Sequence, residues 1–230
     1  MNIYADNRML SEGLIGGTVS RHAGDMRDIS NQNAVFGQLG VAQDKILHFH
    51  QTHSDRIIHI ASDADALNLQ NRPEEEADAW VFSCGGWGGA VQTADCVPLF
   101  LWDETASVFA LAHCGWRGVA AQLPYKTATV LKEAGAQGVI SAWAGPHIQS
   151  CCFEVQEDVA HQFSAKSVIR KEGKIFVDLN TEIILQLELA GLTAADIKTP
   201  YYCTCGDREN FFSWRRDHIR QNLLSFIYKP

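Results

Sequence analysis

The chain has 230 residues, of which 46% are hydrophobic and 20% are charged, and its formal net charge at pH 7 is −8. A chain of this length can bury a sizeable core without a disulfide to hold it folded. Its acidity argues against a general attraction to nucleic acid or to anionic membranes, although a local arginine cluster can still bind a small anion.

The first ten residues are polar, and nowhere do 18 or more apolar residues run together. The sequence therefore predicts neither a signal peptide nor a membrane-spanning helix. Seven cysteines are an odd number, and two pairs lie too close in sequence for ordinary bridging, Cys151 with Cys152 and Cys203 with Cys205. We expect a cytoplasmic protein whose cysteines are reduced thiols.

The predicted strands and helices mix along the chain without strict alternation. Apolar runs indicate strands, and capping residues followed by spaced apolar residues indicate helices. In chain order these are a helix over 33–39, strands over 56–61, 97–102 and 108–113, a helix over 125–134, strands over 139–143 and 174–177, a helix over 179–187 capped by Asp178 or Asn180, and a strand over 223–228. The charge run 73–76 indicates a solvated turn. We predict a mixed α/β fold, a layered sandwich of mixed β-sheet with flanking helices, in one domain over residues 1–230.

Two segments place reactive side chains at the ends of predicted strands. In residues 48–53, His53 lies beyond the strand that carries the other two histidines. In residues 93–98, Asp95 and Cys96 stand at the start of an apolar strand. Asp95 needs a cation, a metal-bound ligand or backbone donors nearby, because burying an unpaired carboxylate is costly. Taken singly, His53 is more often a half-exposed histidine and Cys96 a small core residue.

Two further segments combine aromatic residues with arginine. Residues 112–118 contain His113, followed by a tryptophan and Arg117 between two glycines. The glycines allow a tight turn or a close approach of the backbone to a ligand. In residues 211–217, Arg215 could reach a phosphate by a bidentate contact. Without a ligand, the first of these segments would be only a strand–helix turn packed on its tryptophan.

Together, His53, Cys96 and His113 form a candidate metal-ligand set, although their spacings are too long for a zinc finger or ribbon. Three nitrogen or sulfur ligands leave tetrahedral zinc one open position, which distinguishes catalytic from structural sites. With one thiolate, zinc keeps a net positive charge and can polarise an oxygen or lower the pKa of a bound water. A closed structural site with Cys203 or Cys205 as fourth ligand is the alternative.

At these segments the sequence resembles the YfiH-like family, which also carries the label of multicopper polyphenol oxidase or laccase-domain proteins. The resemblance runs from about residue 20 to the C-terminus. It depends on five linked motifs in order: H-Q-V-H-G at 50–54, T-A-D-C-x-P at 93–98, H-A-G-W-R-G at 113–118, G-P-x-I with Y/F-E-V at 145–148 and 153–155, and F-F-S-Y-R-R-D at 211–217. The chain departs from these motifs at Ser54, Cys114 and Trp214, and at its N-terminus, where Arg21 takes the place of a family arginine.

The resemblance implies one zinc held by His53, Cys96 and His113, and a sandwich like that of bacterial toxin deamidases. It also implies chemistry on purine nucleosides, either phosphorolysis of adenosine, inosine or guanosine or deamination of adenosine. We expect a monomer that takes a nucleoside and phosphate and binds neither nucleic acid polymers nor membranes. The candidate acid–base residues are Glu154 and Asp95, and the candidate substrate-binding residues are Arg21, Gln51, Arg117 and Arg215.

Three alternatives stay open from the sequence. A copper-dependent polyphenol oxidase could use the same thiolate and imidazoles, but a laccase needs several copper ions and more histidine ligands than these segments supply. A cysteine hydrolase with a role in peptidoglycan editing would use Cys96 as nucleophile and His113 as base. A zinc-stabilised binding module would have no activity. Metal content separates them: one zinc favours the nucleoside enzyme, several coppers the oxidase, and no metal the thiol enzyme.

Overall fold

The computed structural model describes residues 1–72 and 74–230, so Pro73 of the predicted charged turn lies outside the described residues. The strands are β1 (Ile3–Tyr4), β2 (Ile15–Val19), β3 (Ile46–Leu47), β4 (Ile57–Ile60), β5 (Ala79–Phe82), β6 (Gly88–Thr93), β7 (Val97–Asp103), β8 (Phe109–Cys114), β9 (Ile140–Ala144), β10 (Glu154–Val155), β11 (Val168–Lys171), β12 (Lys174–Val177), β13 (Ile197–Lys198) and β14 (Leu223–Tyr228). The helices are α1 (Asn7–Ser11), α2 (Ile29–Leu39), α3 (Asp63–Gln70), α4 (Trp116–Ala120), α5 (Leu123–Glu133), α6 (Glu157–Ala160), α7 (Leu179–Leu189) and α8 (Trp214–Asp217), with 3-10 turns at Arg21–Ala23 and Gln43–Lys45.

Over the described residues, these strands form two large sheets and one small sheet. The orders are β13-β9-β7-β8-β5-β4, β1-β2-β14-β6-β3 and β10-β12-β11. Most neighbours are antiparallel, but β13 with β9, β4 with β5 and β3 with β6 are parallel. The predicted fold class, mixed sheets with flanking helices, is confirmed.

The core lies in three layers. The large sheets pack against each other through bulky side chains, among them Trp80, Phe100 and Trp102 of the six-stranded sheet. On its other face this sheet presents small side chains such as Ala110 and Ala112 to α5 and α7. Helix α2 covers the outer face of the five-stranded sheet. Because both faces of the central strands are buried, β7 and β8 are continuous apolar runs and could be predicted within one residue.

Helix ends follow capping residues. The helix predicted from residue 33 begins earlier, at Ile29, because the Asp28 side chain accepts a hydrogen bond from the Ser30 amide. At α7, Asp178 rather than Asn180 is the N-cap, since its carboxylate accepts from the amides of residues 180 and 181. In the described part of the chain, no helix combines the length and the apolar character needed to cross a membrane.

Strand β6 was not predicted, although it lies between β14 and β3 in the five-stranded sheet. Its first two residues are glycines. A Cβ on Gly88 would lie 2.2 Å from the carbonyl oxygen of Ile227, and one on Gly89 would lie 2.5 Å from the Trp80 ring. Close packing therefore requires glycine at these two positions. Because glycine does not contribute to an apolar run, a search for such runs does not detect this strand.

Candidate metal centre and its cavity

His53, Cys96 and His113 meet although they come from separate parts of the chain. Their ligand atoms all lie within 4.8 Å of one another, and His53 Nε2 is 3.7 Å from Cys96 Sγ. His113 belongs to β8, and Cys96 immediately precedes β7. In this antiparallel pair, residue 97 lies opposite residue 114. The sheet register thus places Cys96 and His113 at the same end of two neighbouring strands.

A fully buried carboxylate, Asp78, holds both histidines. Its Oδ1 atom accepts from His113 Nδ1 at 2.8 Å and from the backbone amide of His53 at 3.1 Å. Its Oδ2 atom accepts from the amide and hydroxyl of Ser54 at 2.6 and 2.7 Å. Burial raises the pKa of Asp78, but the hydrogen bonds from His113 and Ser54 outweigh it, and the pKa falls below its usual value. A carboxylate only accepts, so His113 Nδ1 carries a proton and Nε2 is the nitrogen left for a metal.

Cys96 and His113 form a charged pair. Burial raises the pKa of Cys96, but the charge and hydrogen bond of His113 lower it to about 6. Burial lowers the pKa of His113, but the Cys96 thiolate and Asp78 raise it to about 9. The thiolate is the form in which cysteine binds a metal. A metal ion would displace the proton on His113 Nε2 and release it.

This donor set fits zinc. Two imidazole nitrogens and one thiolate suit a borderline-soft ion, and the 3.7 Å from His53 Nε2 to Cys96 Sγ is close to the separation of two ligands on tetrahedral zinc with bonds of about 2.0–2.3 Å. Gly115 leaves the space that the ligands need, since a Cβ there would lie 2.6 Å from His53 Cδ2 and 3.3 Å from Cys96 Sγ. His53 itself has a φ of 60°, a strained value that its hydrogen bond to Asp78 helps to hold.

Gly115→Ala should therefore weaken zinc binding by ~10-fold or more, comparable to the loss of an outer-shell partner, because the new methyl group must displace the His53 ring. Competition with a chromophoric chelator measures the dissociation constant. Gly37→Ala is the control, since a Cβ on Gly37 would meet no atom within 4 Å. An unchanged affinity in Gly115→Ala would show that the ligands do not need this space.

The three ligands open onto a cavity of about 820 Å³. This volume lies within the range of roughly 300–1,000 Å³ that is typical of small-molecule sites. The cavity wall includes the aromatic side chains of Trp116, Phe153 and Trp214 and the guanidinium groups of Arg117, Arg215 and Arg220. Aromatic faces and guanidinium groups together suit a flat ring system joined to an anion.

Three of the four predicted substrate-binding residues line this cavity: Gln51, Arg117 and Arg215. The Gln51 side-chain amide donates to the carbonyl of Gln92 at 2.9 Å and accepts from its N–H at 2.8 Å. It thus pairs with the backbone of β6 as a neighbouring strand would. The Arg117 guanidinium lies over the Trp116 ring, 4.4 Å from its centroid. Arg117 thus keeps its donors for a ligand, whereas the Gln51 amide is already paired.

The fourth predicted residue, Arg21, lies elsewhere. It donates to the carbonyl of Arg208 at 2.7 Å and lies over the Phe212 ring, and it is not among the described residues that line the cavity. Arg220 lines the cavity instead. Arg220 could not be selected from the sequence, because it follows the 211–217 segment without belonging to its motif.

The two predicted acid–base carboxylates have different surroundings. Asp95 lines the cavity, and its two oxygens accept from the Thr204 hydroxyl and the Arg215 amide, each at 2.7 Å. Glu154 of β10 forms an exposed ion pair with Lys174 of β12 at 2.9 Å and is not among the described cavity residues. Of the two, Asp95 is therefore the carboxylate that a ligand in the cavity can reach.

Cys203 and Cys205, the alternative fourth ligands, lie in a different place. The sulfur of Cys203 groups with those of Cys151 and Cys152, and Cys205 is a neighbour of Cys152. Among the described residues, no further histidine, cysteine or carboxylate joins the set of His53, Cys96 and His113. The described residues therefore offer three possible ligand atoms at this place, and neither Cys203 nor Cys205 adds a fourth.

His147 is fully buried and joins two segments beside the site. Its Nδ1 donates to the carbonyl of Gly145 at 2.7 Å, and its Nε2 accepts from the Gln149 amide at 3.0 Å. Its carbonyl accepts from the amide of Thr204, whose hydroxyl binds Asp95. Burial lowers the pKa of His147 to about 4, so this residue is neutral in the folded protein.

Acid should therefore destabilise the protein through His147. Its folded pKa lies below the unfolded value of about 6.5, so the unfolded state binds more protons as the pH falls below 6.5, and the free energy of unfolding decreases. At pH 5 this loss is about 2 kcal/mol. Urea denaturation at pH 7 and pH 5 measures it. His147→Asn should show a smaller difference than wild type, and the exposed control His22→Asn the same difference. Identical differences in all three proteins would remove His147 as the cause.

A family model described as multi-copper polyphenol oxidoreductase laccase matches residues 16–228. The chain belongs to this YfiH-like family. It is 32% identical over 188 residues to a purine nucleoside phosphorylase of Clostridium acetobutylicum, which covers 78% of this chain and 75% of that protein. It is 35% identical over 193 residues to adenosine deaminase RL5 of an unknown prokaryotic organism, which covers 78% and 72%. The solved structure of the hypothetical protein YfiH of Bacillus licheniformis has a TM-score of 0.84 at 25% identity and covers 94% of this chain and 93% of that chain.

Proposed function

We propose that this chain is a zinc-dependent enzyme that acts on purine nucleosides, with residues 1–230 as one catalytic domain. The observation that carries the proposal is the convergence of His53, Cys96 and His113 on a cavity with aromatic and arginine walls. The names of two relatives, a purine nucleoside phosphorylase and an adenosine deaminase, support the same substrate class. When bound, zinc supplies Lewis-acid chemistry at this wall of the cavity.

The chain's own residues would divide the remaining work. The faces of Trp116 and Trp214 would stack on a purine ring. Arg117 and Arg220 would bind phosphate or ribose oxygens, and Arg220 takes the place of the predicted Arg21. The Arg215 guanidinium donates to the carbonyls of Cys152 and Glu154, which holds it in a fixed position at the cavity wall.

Phosphorolysis needs one nucleophile and one proton. A phosphate oxygen bonds to C1′ of the ribose while the bond from C1′ to the base nitrogen breaks, and its electron pair leaves with the base, which takes up a proton. We assign this acid–base role to Asp95 before Glu154, because Asp95 lines the cavity and Glu154 is paired with Lys174. Gln51, whose amide is paired with Gln92, would shape the wall that faces the base.

Base release should depend on phosphate. With inosine, the zinc-loaded protein should yield hypoxanthine and ribose 1-phosphate only when phosphate is present. Arg117→Lys should raise the apparent KM for phosphate by ~10-fold, because an ammonium group cannot reproduce the planar fork of a guanidinium. Chromatography of the products across a phosphate titration measures both effects. Arg72→Lys, which lies outside the cavity, is the matched control.

Other product patterns would identify a different reaction. Base release that is indifferent to phosphate would indicate hydrolysis, and conversion of adenosine to inosine would indicate deamination. Turnover of phenolic dyes with added copper, without base release, would support the oxidase that the family description names.

A second candidate function is a cysteine hydrolase. It is supported by the succession of a thiol, an imidazole and a carboxylate from Cys96, His113 and Asp78. The His113 ring lies beside Cys96 on one side and hydrogen bonds to Asp78 on the other. In this order a thiolate can attack a carbonyl, and the histidine can then protonate the leaving group. The effect of zinc separates the two functions. Zinc activates the nucleoside enzyme but inhibits the hydrolase, because one thiolate cannot be ligand and nucleophile together.

A further inference from the structure

Three of the seven cysteines, Cys151, Cys152 and Cys203, meet in a second place, and Cys205 lies beside them. We call these four residues the four-cysteine cluster. Cys151 Sγ lies 3.3 Å from Cys152 Sγ and 3.6 Å from Cys203 Sγ, and these three sulfurs all lie within 4.8 Å of one another. Cys205 is a neighbour of Cys152, although its sulfur lies outside this group of three. All four are free thiols.

Two short segments bring these cysteines together. The first is a turn, in which the amides of Cys152 and Phe153 donate to the carbonyl of Gln149. The second runs from Tyr202 to Gly206 and pairs with His147, which donates to the carbonyl of Tyr202 and accepts from the amide of residue 204. The cluster is thus the meeting point of two segments about fifty residues apart in sequence.

Packing alone does not account for the cluster. Cysteine is usually buried as a small apolar residue, but Cys151 is exposed, and Cys152 and Cys205 are only partly buried. The Gly206 amide donates to Cys203 Sγ at 3.3 Å, and such a donor favours a thiolate over a thiol. Tetrahedral zinc with Zn–S bonds of about 2.3 Å separates its sulfurs by roughly 3.7 Å, close to the spacings seen here.

A positive charge lies beside the cluster. Arg216 Nη1 donates to the carbonyls of Thr204 and Cys205, at 2.8 and 3.1 Å. Four thiolates around a divalent cation carry a net charge of −2, and a guanidinium bound to the same loop offsets part of it. Arg216 also pairs with Asp217 at 2.7 Å. Burial raises the pKa of Cys152 and of Cys203, so the metal ion itself would be the main counter-charge of the thiolates.

We propose that Cys151, Cys152, Cys203 and Cys205 form a second metal site, which holds one soft cation of the zinc class by thiolates alone. A closed set of four sulfur ligands is typical of structural zinc, not of catalytic zinc. The cation would join the turn at 149–153 to the segment 202–206. It would thereby fix Thr204, whose hydroxyl binds Asp95, the neighbour of Cys96.

The test uses the full chain with Cys96→Ser, because this change removes the only thiolate of the first set. The reduced protein is titrated with Co²⁺ and then with Zn²⁺. We expect one Co²⁺ per chain with tetrahedral bands and sulfur-to-cobalt charge transfer, displaced by one Zn²⁺. All sulfur-to-cobalt absorption must then come from other cysteines.

Further variants in the same background assign that absorption. Cys151→Ser and Cys203→Ser should each weaken Co²⁺ binding by ~10-fold or more, since each loses a metal-bonding thiolate. Cys84→Ser should leave it unchanged, because Cys84 lies outside both sets. Cys151 is exposed, so its variant keeps the test informative if the buried Cys203→Ser fails to fold by circular dichroism.

Two results would overturn the proposal. One is a folded, reduced Cys96→Ser protein that binds Co²⁺ without any sulfur-to-cobalt charge transfer. The other is wild-type protein that carries a disulfide between two of the four cysteines and no second equivalent of metal, which would assign a redox pair. Both readouts are independent of nucleoside turnover, so they stand apart from the proposed function.

Discussion

Cys96→Ser should remove one equivalent of zinc per chain and lower the phosphorolysis of inosine by ~10³-fold, the scale on which losing one electrostatic stabiliser acts. The proposed site has three protein ligands, and the thiolate is the one that carries a negative charge. Losing it should weaken zinc binding by more than the ~10–100-fold that an outer-shell partner contributes. Elemental analysis and product chromatography on the same preparation measure both effects.

Cys84→Ser is the control for thiol removal, because Cys84 hydrogen bonds only to a backbone carbonyl and belongs to neither cysteine set. It should keep wild-type zinc and activity. If Cys96→Ser kept all of its zinc, the first metal site would be wrong as proposed. If it lost all activity at full zinc content, the thiol itself would be the reactive group, as in the hydrolase.

Asp78→Asn should weaken zinc binding by ~10–100-fold and lower the free energy of unfolding by about 3 kcal/mol. The carboxylate accepts hydrogen bonds on both oxygens, from His113, His53 and Ser54. An amide would point two N–H donors at groups that are themselves donors. It would also remove the charge that keeps His113 Nε2 directed at the metal. Chelator competition and urea denaturation measure the two changes.

Asp103→Asn is the matched control for Asp78→Asn. Asp103 is equally buried and accepts from the amides of Ser107, Val108 and Gln137, but it lies at the far end of β7 from the metal ligands. It should lose similar stability while zinc affinity stays at the wild-type value. Equal losses of zinc affinity in both variants would mean that general destabilisation, and not the orientation of His113, is the cause.

The sequence predicted the parts of the fold whose signal is local. Strands β7 and β8 are apolar on both faces, and α7 begins at a capping aspartate, so each is evident from its own residues. Strand β5 was not predicted, because its four residues follow a run of acidic residues. Asp78 was missed for the same reason, since in the sequence it resembles another solvated acid after residues 74–76. It is nevertheless fully buried, immediately before β5.

The arrangement of the candidate site depends on pairings that no single segment encodes. The spacings of His53, Cys96 and His113 carry no information, and the motifs of the family were needed to select them. The direction of Glu154 follows from the pairing of β10 with β12, where it lies opposite Phe176. Likewise, the Gln51 amide hydrogen bonds to the backbone of Gln92 only because the fold places β6 beside residue 51. Residue types suggested the chemistry, and strand register decided which side chains reach the cavity.

The long sequence separation of the metal ligands has a thermodynamic consequence. His53, Cys96 and His113 meet only after the sheet has formed, so the unfolded chain cannot offer the preformed site. Binding and folding are then linked by mass action, and free zinc at 100 times its dissociation constant would add about 2.7 kcal/mol to the free energy of unfolding. The melting temperature would rise with the zinc activity of the buffer. Two preparations that differ only in residual chelator would therefore melt at different temperatures.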